Sequence, residues 1–427
     1  MVGTVGKGVR DAGRPAVTQE SDALPVVIVG AGLAGLACGL DLATSGVRVR
    51  ILEAADAPGG RMRTDRRDGF LLDRGFQVFN TSYPQVKRRV QIRALQPRPF
   101  TPGALLATAT GRVRFADPTR QPRDAADLLL GRLASMRDVV SLGVMSAADM
   151  LAPARRIIAQ PDRTTLIALS EAGISDELIE LFFRPFLAGV FLEDRLETSA
   201  RFFHLVWRSM LRGTLCLPRH GIGAVPAQLA AGLPPGAVSL GTPVAALTDD
   251  GVALADGTQI PARAVVVATG PAQAAALLPG LPVAHTRSVT TVYHAAPRSP
   301  LREPTLLVDT GRIILNTVVL TEVTPSYSAD GRALISSSVL GEAAGREAEI
   351  TTRLAELYQC DTSDWEHLAT YPVADALPAM PAPWSLTRPG RYGLQRYVCG
   401  DHRATGSVQG ALASGTRAAR ELLADLA

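Results

Sequence analysis

Residues Pro25 to Arg63 constrain this chain more than any other stretch. They read PVVIVGAGLAGLACGLDLATSGVRVRILEAADAPGGRMR. An apolar run, Val26 to Val29, ends in Gly30-x-Gly32-x-x-Gly35. A helical pattern follows to Gly46, and a second apolar run, Val47 to Leu52, ends in Glu53, 18 positions beyond Gly35. This spacing predicts a strand–turn–helix–strand unit closed by an acid. Gly30 permits the tight turn, Gly32 lets backbone approach a pyrophosphate, and Gly35 lets the helix pack on the strand. The first helical residues, including Leu33 and Ala34, offer free N–H groups and a positive dipole end to phosphates. Glu53 can accept hydrogen bonds from a ribose 2′-OH, and its charge disfavours a 2′-phosphate. The unit binds a dinucleotide, NAD or FAD. Gly59-Gly60-Arg61 leans toward FAD, because a glycine pair and an arginine can wrap a pyrophosphate and reach a flavin. An ordinary Pro58-Gly59-Gly60 turn accounts for the same residues.

A chain of 427 residues is too long for one hydrophobic core, so two domains are expected. The hydrophobic content is 47%, the charged content 20% and the net charge only +4, which fits a soluble globular protein. No basic run interleaves with aromatics, so nucleic acid is not an expected partner. Among 44 basic residues, Lys7 and Lys87 are the only lysines. Cys38, Cys216, Cys360 and Cys399 form no C-x-x-C pair, as expected of buried thiols in a reduced cytoplasmic protein. Residues 1–22 read as a polar, disordered tail, not a signal peptide. No uncharged apolar stretch approaches the ~18 residues of a membrane span.

Further along, Gly69-Phe-Leu-Leu-Asp-Arg-Gly75 suggests a strand entering a turn. Residues from about 100 to 215 look largely helical, as in Ala125–Ser135 and Ser175–Phe183. Val225–Ala231 reads as a helix, 252–260 as a hairpin around Asp-Gly, and Ala264–Ala268 as a buried parallel strand ending in Thr269-Gly270. Runs at 288–294, 312–320 and 333–340 read as strands and 347–359 as a helix. Tyr397 to Asp401 is a strand reaching an acid, and a helix is expected over 406–424. The expected fold is α/β: a Rossmann-like domain on a parallel sheet from residues 23–100, 215–285 and 371–427, with an inserted α+β substrate domain on a mixed or antiparallel sheet from 101–214 and 286–370.

These pieces together resemble the flavin-containing amine oxidase superfamily, which includes monoamine and polyamine oxidases, protoporphyrinogen oxidases and phytoene-type desaturases. The likeness rests on Gly30–Gly35 with Glu53, on Gly59-Gly60-Arg61, on the ValValAlaThrGly strand end at 266–270, and on Cys399-Gly400-Asp401 followed by Gly406 to Ala411. It implies FAD as cofactor. Asp401 would bond the ribityl or pyrophosphate region. Ser407, Val408 and Gln409 would open the last helix toward flavin N1 and C2=O. Val244 would pair its backbone with adenine, and Gly75 and Phe76 would lie near the isoalloxazine ring. Segments 184–192, 371–378 and 400–415 look like desaturase-type members. Two departures from the amine oxidases agree. Those enzymes place a lysine near the flavin, and this chain has none after Lys87. They also place an aromatic residue just before the last helix, where Ser407 or Val408 stands here.

The expected reaction is hydride transfer from a substrate C–H to flavin N5, desaturating a C–C bond of an apolar isoprenoid or secondary metabolite. Oxygen or another acceptor would take the electrons. Oxidation of a C–N bond in an amine or amide without the lysine is the alternative; a flavin-binding scaffold or sensor is the alternative from another class. His204, His285, His294, Arg312, Asn316 and Tyr371 are the polar candidates of the substrate domain, though packing roles suit each of them. No metal-ligand spacing and no hydrolase triad stands out. Phe182, Phe183, Phe186, Phe191, Phe202, Phe203 and Trp207 form either a core or an apolar tunnel wall. Peripheral membrane contact through that stretch stays open, as does the oligomeric state.

Overall fold

A computed structural model describes residues 24–76, 78–116, 120 and 134–427. The expected tail at 1–22 and most of the expected helix at 125–135 lie outside these residues. The opening unit forms as the spacing dictates: strand β1 (Val26–Val29), helix α1 (Leu33–Thr44) and strand β2 (Val49–Leu52). β1 is buried along its whole length, as a central parallel strand must be.

β1 lies between β2 and Ala264–Val267, parallel to both. Val238–Ser239 extends the sheet beyond β2, and Arg396–Val398 extends it beyond Ala264–Val267, again in parallel. One antiparallel edge strand, Arg391–Gly393, completes six strands. Segments remote in sequence are therefore neighbours in space. The last helix, Val408–Leu426, packs on α1.

A second sheet has seven strands, in the spatial order 366–378, 286–296, 333–340, 316–319, 307–309, 104–108 and 111–115. All its pairs are antiparallel except Ala104–Thr108 with Leu307–Asp309, so it is mixed. One face carries the helix Glu347–Tyr358, packed on Ile335, Val339 and Val292. The other face meets helices from the 136–212 stretch and the aromatic cluster.

The strand Glu366–Pro378 pairs along its length with Thr286–Ala296, so the second sheet runs past the expected boundary at residue 371. The strand expected at 312–320 is Asn316–Val319; Arg312 sits in the preceding turn with φ of 63°. Ser175 caps a short α-helical turn that widens into π-helical geometry over Ile179–Phe183. The last helix starts at Val408, not Gly406, because the Ser407 hydroxyl accepts a hydrogen bond from the Gly410 N–H at 3.0 Å. Met136–Leu151 is a long helix that the sequence reading missed, opened by a capping box at Ser135 and Asp138.

Phe182, Phe183, Phe191, Phe202, Phe203 and Trp207 are buried against one another. Membrane contact through this stretch is therefore corrected: its aromatic rings are core, and Phe115 stacks on Phe182 at 3.6 Å. No helix among the described residues is long and apolar enough to cross a membrane.

Candidate active site

The three fingerprint glycines are needed for three different reasons. Gly30 has φ of 104°, and a Cβ there would sit 3.0 Å from the Ala268 carbonyl oxygen. A Cβ on Gly35 would fall 2.0 Å from the Gly30 oxygen, so only glycine lets α1 pack this closely on the turn. A Cβ on Gly32 would meet nothing within 4 Å. Gly32 therefore borders open space at the N-terminus of α1, where a diphosphate's oxygens can approach backbone N–H groups.

Glu53 ends β2 beside this turn. Its carboxylate accepts hydrogen bonds from the Ala31 N–H at 2.6 Å and the Ala55 N–H at 2.9 Å. The backbone of Glu53 and Ala55 is held by the N–H groups of Thr242 and Gly241, which brings Val244 into the same neighbourhood. Thr269 and Gly270 follow the strand Ala264–Val267, and Ala268 backs Gly30 and Gly35 from below. The second glycine turn stacks on the first: Gly59 donates to the Ala31 carbonyl at 2.9 Å and bridges Gly32. Gly60, with φ of 58°, places its Cβ position 3.5 Å from the Gly32 Cα.

Arg61 ties three distant segments at one point. One nitrogen donates to Asp401 Oδ1 at 2.6 Å and another to the Ala376 carbonyl at 2.8 Å. Gly400 has φ of 153° and donates to the Ser414 hydroxyl. A Cβ on Gly415 would lie 2.1 Å from the Ala34 carbonyl, so glycine again sets the closeness of the last helix to α1. The Gln409 side chain turns away from the cleft and accepts from the Gln85 N–H at 2.9 Å. What it leaves at the cleft is its backbone N–H, one of the first-turn donors that no helix satisfies internally.

His402, which sequence reading did not single out, is buried with neither ring nitrogen hydrogen-bonded. Burial holds its pKa down to about 4, so the ring is neutral. The open space at Gly32, two helix N-termini and this unpartnered buried ring fit a bound dinucleotide.

The second sheet supplies the facing wall. Its registry aligns Tyr371, Thr291, Ser338 and Asn316 in one row across four strands. The row continues into the apolar Val308, Leu106 and Val113. The Thr291 hydroxyl accepts from the Phe76 N–H at 3.2 Å, and Gly75 lies against Val373. A cavity of about 400 Å³ opens here, lined by Gly60, Arg61, Asp65, Arg74, Tyr371 and Val373. Tyr371 donates to Asp65 at 3.0 Å, and burial with that carboxylate pushes its pKa up to about 12. It is a neutral phenol, not a base.

Asn316 is 7% exposed, and its Oδ1 has no partner. A Cβ on Gly189 would sit 2.6 Å from its Nδ2, so glycine makes room for the amide. His294 is a correction: strand alternation turns it to the opposite face, toward Trp365 and His367. Arg312 is half-exposed and 3.9 Å from Asp194. His204 pairs with Asp149 at 2.8 Å, and His285 is exposed. Lys87 is exposed on the helix Pro84–Arg89.

Where the two walls meet, Asp73 is buried and fully bonded. Its carboxylate accepts from the Thr64 hydroxyl at 2.5 Å, the Ile222 N–H at 3.0 Å and the Tyr327 hydroxyl at 2.9 Å. Its carbonyl accepts from the Tyr293 hydroxyl at 2.7 Å. Burial raises its pKa to about 6. The signal was present in the sequence, an acid closing an apolar strand just before Gly75.

A fold and cleft of this kind define an FAD-dependent oxidoreductase. The family model of flavin containing amine oxidoreductases matches residues 33–423, so the chain belongs to that family and FAD is its cofactor. Among curated relatives, coproporphyrinogen III oxidase of Propionibacterium freudenreichii is 27% identical over 325 residues; the match covers 61% of this chain and only 59% of that protein. Hydroxyneurosporene desaturase of Cereibacter sphaeroides is 62% identical over 39 residues, 9% of this chain and 8% of that one. Cyclohexylamine oxidase from Brevibacterium oxydans shares the fold, with a TM-score of 0.67 at 18% identity over 94% of this chain and 99% of that one.

Proposed function

We propose that this enzyme dehydrogenates a C–C bond of an apolar small molecule such as an isoprenoid or other secondary metabolite, in the cytoplasm, with oxygen or another acceptor taking the electrons. The observation that carries this reading is the second sheet's cleft-side wall. It offers an amide, hydroxyls and a neutral phenol, backed by aliphatic and aromatic side chains. Lysine is absent from the whole stretch after Lys87. Such a wall positions an apolar molecule by packing and has no ammonium group to serve a C–N oxidation.

FAD, when bound, supplies the two-electron acceptor. The chain's residues would divide the work of holding it. Gly30, Gly32 and Gly35 admit the pyrophosphate to the α1 N-terminus, and Glu53 holds the ribose. Gly60, Arg61 and Asp401 border the middle of the cofactor. Gly75, Phe76 and the N–H groups of Val408 and Gln409 border the ring. Residues 23–100, 215–285 and the segment after Pro378 form the cofactor half, with the remainder covering the substrate.

Glu53→Ala is expected to lower FAD affinity about tenfold or more, through lost charge-assisted hydrogen bonds. Flavin fluorescence after dilution and refiltration measures this, and an unchanged flavin content removes Glu53 from the ribose site. For the reaction, anaerobic mixing with polyene isoprenoids and with primary and secondary amines reads out loss of the flavin's visible absorbance. Bleaching by isoprenoids is expected. Bleaching by amines alone replaces C–C with C–N oxidation, and no bleaching by either class favours a binding role.

A further inference from the structure

Helix Met136–Leu151 carries hydrocarbon on two faces: Leu142 and Met145 pack inward with the aromatic cluster, and a second set looks outward. A helix on a soluble protein's surface normally turns its charges to water and its hydrocarbons inward. Here the carboxylates point inward. Asp138 is buried and accepts hydrogen bonds from Ser135 and Ser175. Asp149 is buried against His204. The outward arc carries Met136, Val140, Val144 and Leu151, which are 67%, 61%, 66% and 78% exposed. At 100° per residue these four fall within one quadrant of the helix, with Ala147 between them. Gly143 flanks that arc on one side and Arg137 on the other.

The charges around the stripe are unequal. At its C-terminal end, Arg155 and Arg156 are exposed on the next short helix. Arg208 and Arg212 donate to the carbonyls of Ala152 and Met150 that end the stripe. Among the described residues, the exposed carboxylates nearby are Asp176 and Glu177, beyond the opposite end, and Glu171, engaged by Arg163 at 2.7 Å. A stripe of exposed hydrocarbon bordered by guanidinium groups suits the boundary between acyl chains and anionic headgroups. A second copy paired antiparallel across this face would set these arginines toward Asp176 and Glu177 of its partner, and is the rival occupant that the test below separates from lipid.

We propose that the outward face of Met136–Leu151 docks on an anionic lipid bilayer, with Met136, Val140, Val144 and Leu151 entering the acyl boundary and Arg137, Arg155 and Arg156 meeting the headgroups. Val144 and Ala148 also line a half-open pocket of about 260 Å³ between this helix and Ala200–Arg212. The docking is independent of which bond the enzyme oxidises.

Co-sedimentation of the full-length, FAD-loaded protein with vesicles tests it. Binding is expected to vesicles of phosphatidylcholine with phosphatidylglycerol, and to weaken as salt rises. Vesicles of phosphatidylcholine alone should bind roughly tenfold less. Val140→Asp with Val144→Asp should lose binding by roughly tenfold or more while keeping FAD content and melting temperature, since both side chains project outward. Arg155→Ala with Arg156→Ala should lose only the preference for anionic lipid. Failure to bind anionic vesicles overturns the proposal, and so does undiminished binding by the double aspartate variant. A dimer in light scattering that the aspartates dissociate, without lipid binding, assigns the face to a second copy instead.

Discussion

The two walls of the cleft are made by opposite means. The wall around Gly30, Gly32, Gly35 and Gly60 is backbone, and at Gly35 a single added carbon would collide with a carbonyl oxygen. The wall around Tyr371, Thr291, Ser338 and Asn316 is side chain, laid on strands paired with one another. Backbone recognition suits a partner that never changes, because main-chain N–H groups and tight turns leave evolution little to vary. Side-chain recognition can be rewritten one residue at a time without disturbing the strands. The difference separates a fixed cofactor from an adjustable substrate.

The largest test of that contrast is Gly35→Val. Its Cβ would lie 2.0 Å from the Gly30 oxygen, so α1 must move off the turn. A loss of about 3 kcal/mol or more is expected, with loss of FAD. Thermal unfolding and the 450 nm absorbance of the purified variant check it, and a stable, yellow Gly35→Val protein breaks the contrast.

Asp73 joins the walls and gives a comparable effect through pH. An acid whose folded pKa is raised binds its proton more tightly when folded. Stability from this group therefore rises as pH falls from about 6 toward 3.8 and is lost as pH climbs back through 6. Asp73→Asn cannot titrate and keeps acceptors for Thr64 and Ile222. The wild type should gain on the order of 3 kcal/mol relative to this variant between pH 7 and pH 4. Taking the difference matters, because His294 and His402, held near pKa 4 by burial, act in the opposite direction in both proteins. A difference in melting temperature that stays flat with pH removes Asp73 from the joint.

The smallest effect belongs to Asn316→Leu. It replaces a buried amide with an unpartnered oxygen by an apolar group of similar size, so stability should change by only about 1 kcal/mol in either direction. Substrate preference should shift toward compounds lacking a hydrogen-bonding group, with FAD content unchanged. A fall in FAD content would show that the second wall also serves the cofactor.

The same contrast explains what could be read before the structure. Gly30 to Glu53 announces itself because the constraints are local: strand, turn, helix and acid succeed one another within a short span. Arg61 and Asp401 were each named, but not their ion pair, since sequence spacing carries no information about a contact between such distant residues. His294 was chosen wrongly and Tyr293 overlooked although they are adjacent; the pleat sends one to each face, and only the paired strands decide which face lines the cleft. Met136–Leu151 escaped notice because apolar residues stand on both of its faces, Leu142 and Met145 inward and Val140 and Val144 outward, so no single stripe marks the buried side.

The central place of β1 also has a cost in time. It leaves a ribosome well before its cover: one of its two neighbours is Ala264–Val267, and α1 is covered by a helix that starts at Val408. At roughly 10 residues per second, the first strand and helix wait on the order of half a minute for these partners. During that interval Val26–Val29 and the exposed side of α1 are sticky surfaces in search of cover. The nascent chain is then a client for whatever shields apolar segments, and its yield should depend more on that protection than on the stability of the finished fold.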